Sequence, residues 1–424
     1  MIKGVPTWLL ITGSAVATCA VVSAPALAQA PQADAGINAN DIVVTAQFRA
    51  QSLQDTPLAI TAVSGDQLEA RGQQSIIDIG ATTPSVNIST ATAIQGNAVS
   101  AFIRGIGQDD SSFALEPGVG IYIDDVYFGT TFGASLDLVD LERVEVLRGP
   151  QGTLAGKNSL GGAIKLYSRK PDENFGGFVQ GEYGRFDKRE FRGSVNVPIA
   201  DGLYSRFSAS YRKDDGYFKE LDYGCVNPGQ GIAATGRADK NCVLGRAGGA
   251  NMLSLRGALR YAPSGSPLEV NIIGDYVRDR SQPVATKPSY ANNSSVRSYV
   301  PGDPLGGVPL DSRFLTPEGS YTSYADYDAS GNFTTVFGVP YQQAPGTFPD
   351  KRENSVDGWG VSGTIDYAIA DNLSLKSVTA YRKADGTSVI DIDGSPLNLL
   401  KERLRSVHEQ FTQEQKIQVV EAMW

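Results

Sequence analysis

Between residues 172 and 424 the chain repeats one pattern, in which every second side chain is apolar and its neighbours are polar or charged. Phe191, Gly193, Val195, Val197 and Ile199 alternate with Glu190, Arg192, Ser194 and Asn196. Leu203, Ser205, Phe207, Ala209 and Tyr211 alternate with Tyr204, Arg206, Ser208 and Ser210. Two further runs set Leu253, Leu255, Leu259 and Tyr261 against Ser254, Arg256 and Arg260, and Leu268, Val270, Ile272 and Tyr276 against Glu269, Asn271 and Asp275. Weaker examples cover 175–185, 359–367, 373–382 and 408–419. A period of two defines a strand with two unlike faces. About eight such runs have the roughly 9–11 residues that a tilted strand needs to cross a bilayer. Several end in Tyr, as an interfacial aromatic girdle requires.

The connections fall into two classes. Short turns at 199–202, 262–267 and 369–372 alternate with long polar segments at 214–251, 280–353 and 384–406. That is the order of periplasmic turns and extracellular loops in an outer-membrane barrel. A soluble β-sandwich also alternates apolar with polar residues. It does not account for long loops on one side only, nor for charges recurring so regularly on the second face. The polar faces are expected to line a lumen, where they meet water and one another.

The N-terminal part is built differently. Residues 1–28 read as an export signal, with Lys3 ahead of an apolar stretch from Trp8 to Val22 and a small-x-small site at Ala26-Leu27-Ala28. Residues 29–40 are small and polar, and disorder is expected there. Asp41, Ile42, Val43, Val44, Thr45 and Ala46 then form an extended, β-branched segment. Such a segment on a loose lead can add itself to the edge of a partner's sheet, although an ordinary first strand has the same composition. Residues 48–171 predict a compact mixed α/β domain. It has a strand at 58–63, a helix capped by Ser64 or Asp66, a helix near 75–81, strands at 101–105 and 120–125, and an alternating strand at 141–147. The glycine-rich stretch from Gly152 to Gly162 is not a phosphate loop. Only three residues separate Gly152 from Gly156, Asn158 replaces the magnesium-binding hydroxyl, and a strand rather than a helix follows.

Composition removes several functions. The 424 residues hold 37 basic against 46 acidic side chains, a net charge of −9, unlike a protein that tracks nucleic-acid phosphates. One histidine, His408, and three cysteines leave little for a zinc site or a Cys/His nucleophile pair, so neither an enzyme nor a bound cofactor or metal is expected. Cys225 and Cys242 remain after signal removal. In an exported chain a disulfide between them is allowed and would contribute about 3 kcal/mol, with two free thiols as the alternative.

Taken in order, these parts resemble a TonB-dependent outer-membrane receptor of the siderophore-receptor kind. Asp41–Ala46 resembles the TonB box. Residues 56–62, 102–107 and 119–127 resemble successive plug motifs, and the most specific likeness runs from Val144-Glu145-Val146-Leu147-Arg148-Gly149-Pro150 through Gly152 to Gly161-Gly162-Ala163-Ile164. Phe411-Thr412-Gln413-Glu414 resembles a strand motif of the same family's barrel. The resemblance implies a signal peptide (1–28), a lead with the TonB box (29–47), a plug (48–171) and transmembrane β-barrel strands (172–424). It implies location in the outer-membrane lipid with the N-terminal segment and plug facing the periplasm, TonB as energy-transducing partner, and import of a scarce nutrient. A ferric siderophore is the expected cargo, with cobalamin, haem or a saccharide as competitors; a passive pore or adhesin barrel is the alternative class. It further implies that Arg104, Glu142, Glu145 and Arg148 form plug–barrel ion pairs, with Gly149, Gly152, Gly161 and Gly162 shaping the plug motif. The family's plug fills a barrel of about 22 strands. With about eight strands present, the barrel is expected to be incomplete and the sequence a truncated or frameshifted form.

Overall fold

The computed structural model describes residues 43–44, 51–73, 75–90, 98–109, 116–129, 139–152, 158–291, 293–297, 307–327, 332–334, 340–342, 354–397, 399 and 401–419. The expected export signal at 1–28 and the lead at 29–40 lie outside these residues. So do Asp41, Ile42, Thr45 and Ala46 of the extended segment.

The first part is an α/β unit. Its strands are β1 (Val43–Val44), β2 (Gln51–Ser52), β3 (Ile60–Ser64), β4 (Val86–Thr90), β5 (Val99–Ile103), β6 (Ile106–Gln108), β7 (Val119–Ile123), β8 (Val126–Phe128), β9 (Leu141–Arg148) and β10 (Gly162–Ser168). Two short helices, α1 (Gly65–Ala70) and α2 (Ile76–Thr82), follow β3. Each helix starts at a serine. Ser64 accepts from the Gln67 N–H at 3.3 Å, and the Ser75 N–H donates to Asp78 at 2.8 Å, which satisfies donors the first turn cannot pair internally. The main sheet runs β3-β9-β10-β7-β8, and β4-β5-β6 form a second. Pairing is antiparallel except between β10 and β7. Val144, Val146, Ile164 and Ile121 pack on Ile76 and Ile79 of α2 in one apolar core. Close approach of the start of β10 to the end of β9 depends on Gly162, at φ +147°, where a Cβ would lie 2.1 Å from the Leu147 carbonyl oxygen.

The second part is an eight-stranded antiparallel wall. It comprises β11 (Gly176–Gly184), β12 (Lys188–Ala200), β13 (Leu203–Lys213), β16 (Asn251–Tyr261), β17 (Leu268–Asp279), β23 (Ser355–Ala370), β24 (Leu373–Asp391) and β25 (Lys401–Val419), in that spatial order. The wall is inside-out relative to a soluble sheet. On β12, Arg192 and Asn196 are 6% and 1% exposed, whereas Phe191 and Ile199 are 49% and 57% exposed. Phe207, Leu259, Ile272, Val361 and Ile365 continue the outward apolar band. A face of that kind belongs in hydrocarbon, and the polar face on the other side needs partners.

One expectation fails here. Residues 384–391 and 401–406 are strand, not loop, and only 392–400 connect them: β24 and β25 are each 19 residues long and pair from Leu373↔Val419 to Asp391↔Lys401. Their distal halves carry ion pairs such as Arg405–Asp385 instead of an apolar stripe, so the alternation vanishes while the backbone ladder continues.

The longer connections form a lobe of their own. It contains β14 (Phe218–Leu221), β15 (Val243–Ala247), β18 (Asn293–Arg297), β19 (Pro309–Leu310), β20 (Thr322–Ser323), β21 (Asn332–Thr334) and β22 (Pro340–Gln342). β14 pairs with both β15 and β20, and Tyr223, Phe314 and Leu397 bring three connections into one apolar cluster. Cys225 and Cys242 are disulfide-bonded, with Cα atoms 5.6 Å apart. Asp222 beside them accepts from the Thr235 N–H and hydroxyl at 2.8 and 2.6 Å and from the Cys225 N–H at 3.2 Å. Burial pushes the Asp222 carboxyl up, but these hydrogen bonds outweigh it and hold the group below the usual carboxylate range.

The double substitution C225S/C242S should remove about 3 kcal/mol of constraint from this loop. Limited proteolysis should then cut within 226–241 while the wall strands stay intact. Unchanged cleavage would mean that the Asp222 hydrogen bonds suffice alone.

Candidate plug–wall interface

The polar inner face of the wall is met by acidic side chains of the α/β unit. Asp140, at φ +59° just before β9, is 4% exposed. It receives Arg206 of β13 through Nε at 2.6 Å, with a second contact from the same guanidinium, and the Ser208 hydroxyl at 2.6 Å. Asp124 and Asp125 are the two central residues of the β7–β8 hairpin, with φ of +49° and +66°. Positive φ at both marks the tight turn whose twist suits the flanking strands. The turn holds the two carboxylates side by side and hands them to different wall strands. Asp124 pairs with Arg256 of β16 and also accepts from the Ser168 N–H at 2.8 Å. Asp125 pairs with Lys376 of β24 at 2.7 Å. Lys170, past the end of β10, pairs with Glu269 of β17 at 2.8 Å.

Around the hairpin tip lies a cavity of about 420 Å³, lined by Asp124, Asp125, Arg143, Tyr167 and Ser168 on one side and Arg256, Asn271, Thr364, Asp366 and Lys376 on the other. Its charged side chains are paired with one another across the gap between the two surfaces. Apolar contact is limited: Val126 packs on Val378 and Ala380 in a cluster of its own.

The residues singled out from sequence occupy the neighbourhood of this interface, in different roles. Glu142 and Glu145 each pair with Arg143 of the same strand, at 2.6 and 2.8 Å. Glu145 is fully buried while the Glu142 side chain is half exposed. Arg104 sits in the β5–β6 turn at φ +54°, with its guanidinium so close to Gly149 that a Cβ there would lie 2.9 Å away. The Arg148 N–H donates to Ala59 at 2.9 Å, Gly149 to Gly161 at 2.8 Å and Gly161 to Gly118 at 2.9 Å. Arg148, Gly149, Gly161 and Gly162 therefore tie strand ends together, and Gly152 is exposed nearby. Val43 and Val44 pair with Ser52 and Gln51, and Val44 is fully buried. Asp124, Asp125, Asp140 and Lys170 were not singled out from sequence. The Asp-Asp pair between Ile-Tyr-Ile and Val-Tyr-Phe was the available hairpin signal.

Residues 52–163 match the TonB-dependent receptor plug domain. The chain therefore carries a TonB-dependent receptor plug, docked on an antiparallel sheet that resembles part of the family's barrel. Among similar proteins, the pesticin receptor of Yersinia pestis is 27% identical over 288 residues, covering 66% of this chain and 39% of the relative. The iron-regulated outer membrane virulence protein of Vibrio cholerae is 30% identical over 200 residues, covering 43% of this chain and 28% of the relative. In fold, the chain is similar to the ferric yersiniabactin uptake receptor from Yersinia pestis, with TM-score 0.59 and 18% identity over 87% of this chain and 46% of that one. The ferripyoverdine receptor of Pseudomonas aeruginosa gives TM-score 0.56 at 15% identity, over 88% and 41%. The chain spans less than half the length of these relatives.

Two outcomes follow from the geometry. Removing Arg206 (R206A) should cost up to about 3 kcal/mol at this contact, because buried Asp140 keeps only the longer pair with Arg169 at 3.9 Å and the Ser208 hydroxyl; protease sensitivity near residue 140 would report it. Asp125 should make docking acid-labile. Burial raises its carboxyl, but Lys376, with Lys416 and Lys165, outweighs that and holds it below the usual carboxylate range. A depressed folded value contributes stability that is complete above the unfolded value and is lost as pH falls through the folded one. Loosening of the hairpin should thus set in below about pH 4. Protection factors of residues 119–129 against pH should show this step in the wild type and a smaller one in D125N, in which Asp124 still pairs with Arg256.

Proposed function

We propose that this chain is the plug and the adjoining part of the barrel wall of a TonB-dependent outer-membrane receptor that imports a scarce nutrient, with a ferric siderophore as the cargo. The observation that carries the reading is a plug-family domain docked by ion pairs on the polar face of a sheet whose other face is apolar and outward. A plug held mainly by charge pairs, with only the small Val126–Val378–Ala380 cluster as apolar contact among the described residues, can shift against its wall while exposing little hydrophobic surface. No covalent chemistry is needed; transport requires only that ligand and TonB favour different plug arrangements. The siderophore assignment is supported by similar proteins whose names refer to ferric yersiniabactin and ferripyoverdine.

In this reading the plug and the segment 41–46 face the periplasm, and the lobe of long connections faces outward. The coupling segment adds to a partner's sheet edge. Val43–Val44 must then leave Gln51–Ser52, with which they pair here. V44P removes an N–H from that segment. It should reduce energised uptake of ferric siderophore by cells producing the receptor to background, with ligand binding to cells unchanged. Uptake of cobalamin or a saccharide in place of iron would replace the cargo and keep the mechanism. Uptake independent of TonB would overturn it.

A further inference from the structure

The β7–β8 hairpin is held by more than its two aspartates. β8 is the outer strand of the plug's main sheet, so one backbone edge of residues 126–129 faces the wall. An open strand edge is normally a liability, since its N–H and C=O groups will pair with whatever strand approaches. Among the described residues a side chain of the wall occupies it. Gln410 of β25 accepts the Gly129 N–H through Oε1 at 2.8 Å and donates through Nε2 to the Tyr127 carbonyl at 2.6 Å. A primary carboxamide carries the same donor and acceptor as a peptide unit. Gln410 therefore does for residues 127 and 129 what one residue of a neighbouring strand would do. Between these two bonds, the Arg382 guanidinium of β24 lies over the Phe128 ring at 4.1 Å, itself fixed by Asp275 at 2.6 and 2.8 Å.

The fit is close at one more point. A Cβ at residue 129 would lie 2.7 Å from Gln410 Oε1, so only glycine lets the carboxamide reach the backbone. With Asp124 on Arg256 and Asp125 on Lys376, five successive positions from the turn to Phe128, and then Gly129, meet side chains of three wall strands. At the opposite edge of the sheet is β3, which leads back towards β1.

We propose that Gln410 is a positioning residue that caps the plug's open strand edge, and that the β7–β8 hairpin is thereby the docked end of the plug. This inference goes beyond the transport reading and does not depend on it, because it concerns which plug backbone is held by the wall.

The test is residue-resolved hydrogen exchange on the purified protein in lipid nanodiscs, at neutral pH. The Gly129 amide should be protected in the wild type and exchange at least tenfold faster in Q410L, with amides of β9 and β10 unchanged. Q410E keeps the acceptor and loses the donor, so it should retain protection of Gly129. That rescue would not follow from a merely space-filling role. G129A provides a second route that leaves the wall untouched. The displaced atom is the free end of a flexible side chain, so the fold should survive while protection is lost. Equal exchange of Gly129 in wild type, Q410L and G129A would overturn the proposal. So would a loss of protection in Q410L spread evenly over β9 and β10, or a failure of Q410E to restore it.

Discussion

Everything in this structure follows from a sheet whose polar face is its buried one. Arg192, Asn196, Ser208 and Asn271 would each be costly to enclose without partners, and no apolar core can be built against them. The plug answers that requirement with carboxylates placed outside its own core, in turns and strand ends, where the backbone can present them to the wall. Asp140 stands one residue before β9 and Asp124–Asp125 form the tip of a hairpin, so neither interrupts the packing of Val144, Val146 and Ile121. The plug thus has two chemistries in separate places: an apolar interior that keeps it folded and a charged rim that keeps it docked.

Separating the two explains why the interface can be firm yet reversible. Arg206 and Asp140 are nearly enclosed, and such a pair costs much to break from one side only. Lys170–Glu269 is half exposed and exchanges readily with water. The cavity beside the hairpin tip lets solvent reach several of these pairs. Graded exposure along one interface gives it strong and weak contacts without any change in chemistry.

Much of this could be read from the residues, because the signals are local. Alternation of Phe191 with Arg192 fixes both the strand and its two faces, and the Ser75-to-Asp78 spacing announces α2. Tertiary partners could not be read in the same way. Glu142 and Glu145 both meet Arg143, which lies between them on the same strand, a pairing that the resemblance did not imply. Asp124 and Asp125 read as the end of a strand at 120–125, whereas they form the turn after it; which wall strand receives each depends on a register between segments far apart in the chain. The distal halves of β24 and β25 read as loop because charged pairs replaced the apolar stripe. Gln410 carried no signal at all, since an amide capping a strand edge leaves no periodic trace.

The strand order of the plug also bears on how such a chain becomes folded. Residues 60–64 find their neighbours only at 143–147, and 119–123 pair in parallel with 162–166, so no pair of edges in the main sheet other than the β7–β8 and β9–β10 contacts closes over a short separation. Non-local pairing of this kind delays the native topology until its last strand is available, and leaves β3 and its apolar neighbours searching in the meantime. A chain emerging from its N-terminus must therefore keep its first hundred or so residues from misassociating, roughly the length at which intermediates become common. High contact order in the plug thus makes its main sheet available only once residues 162–168 have been synthesised.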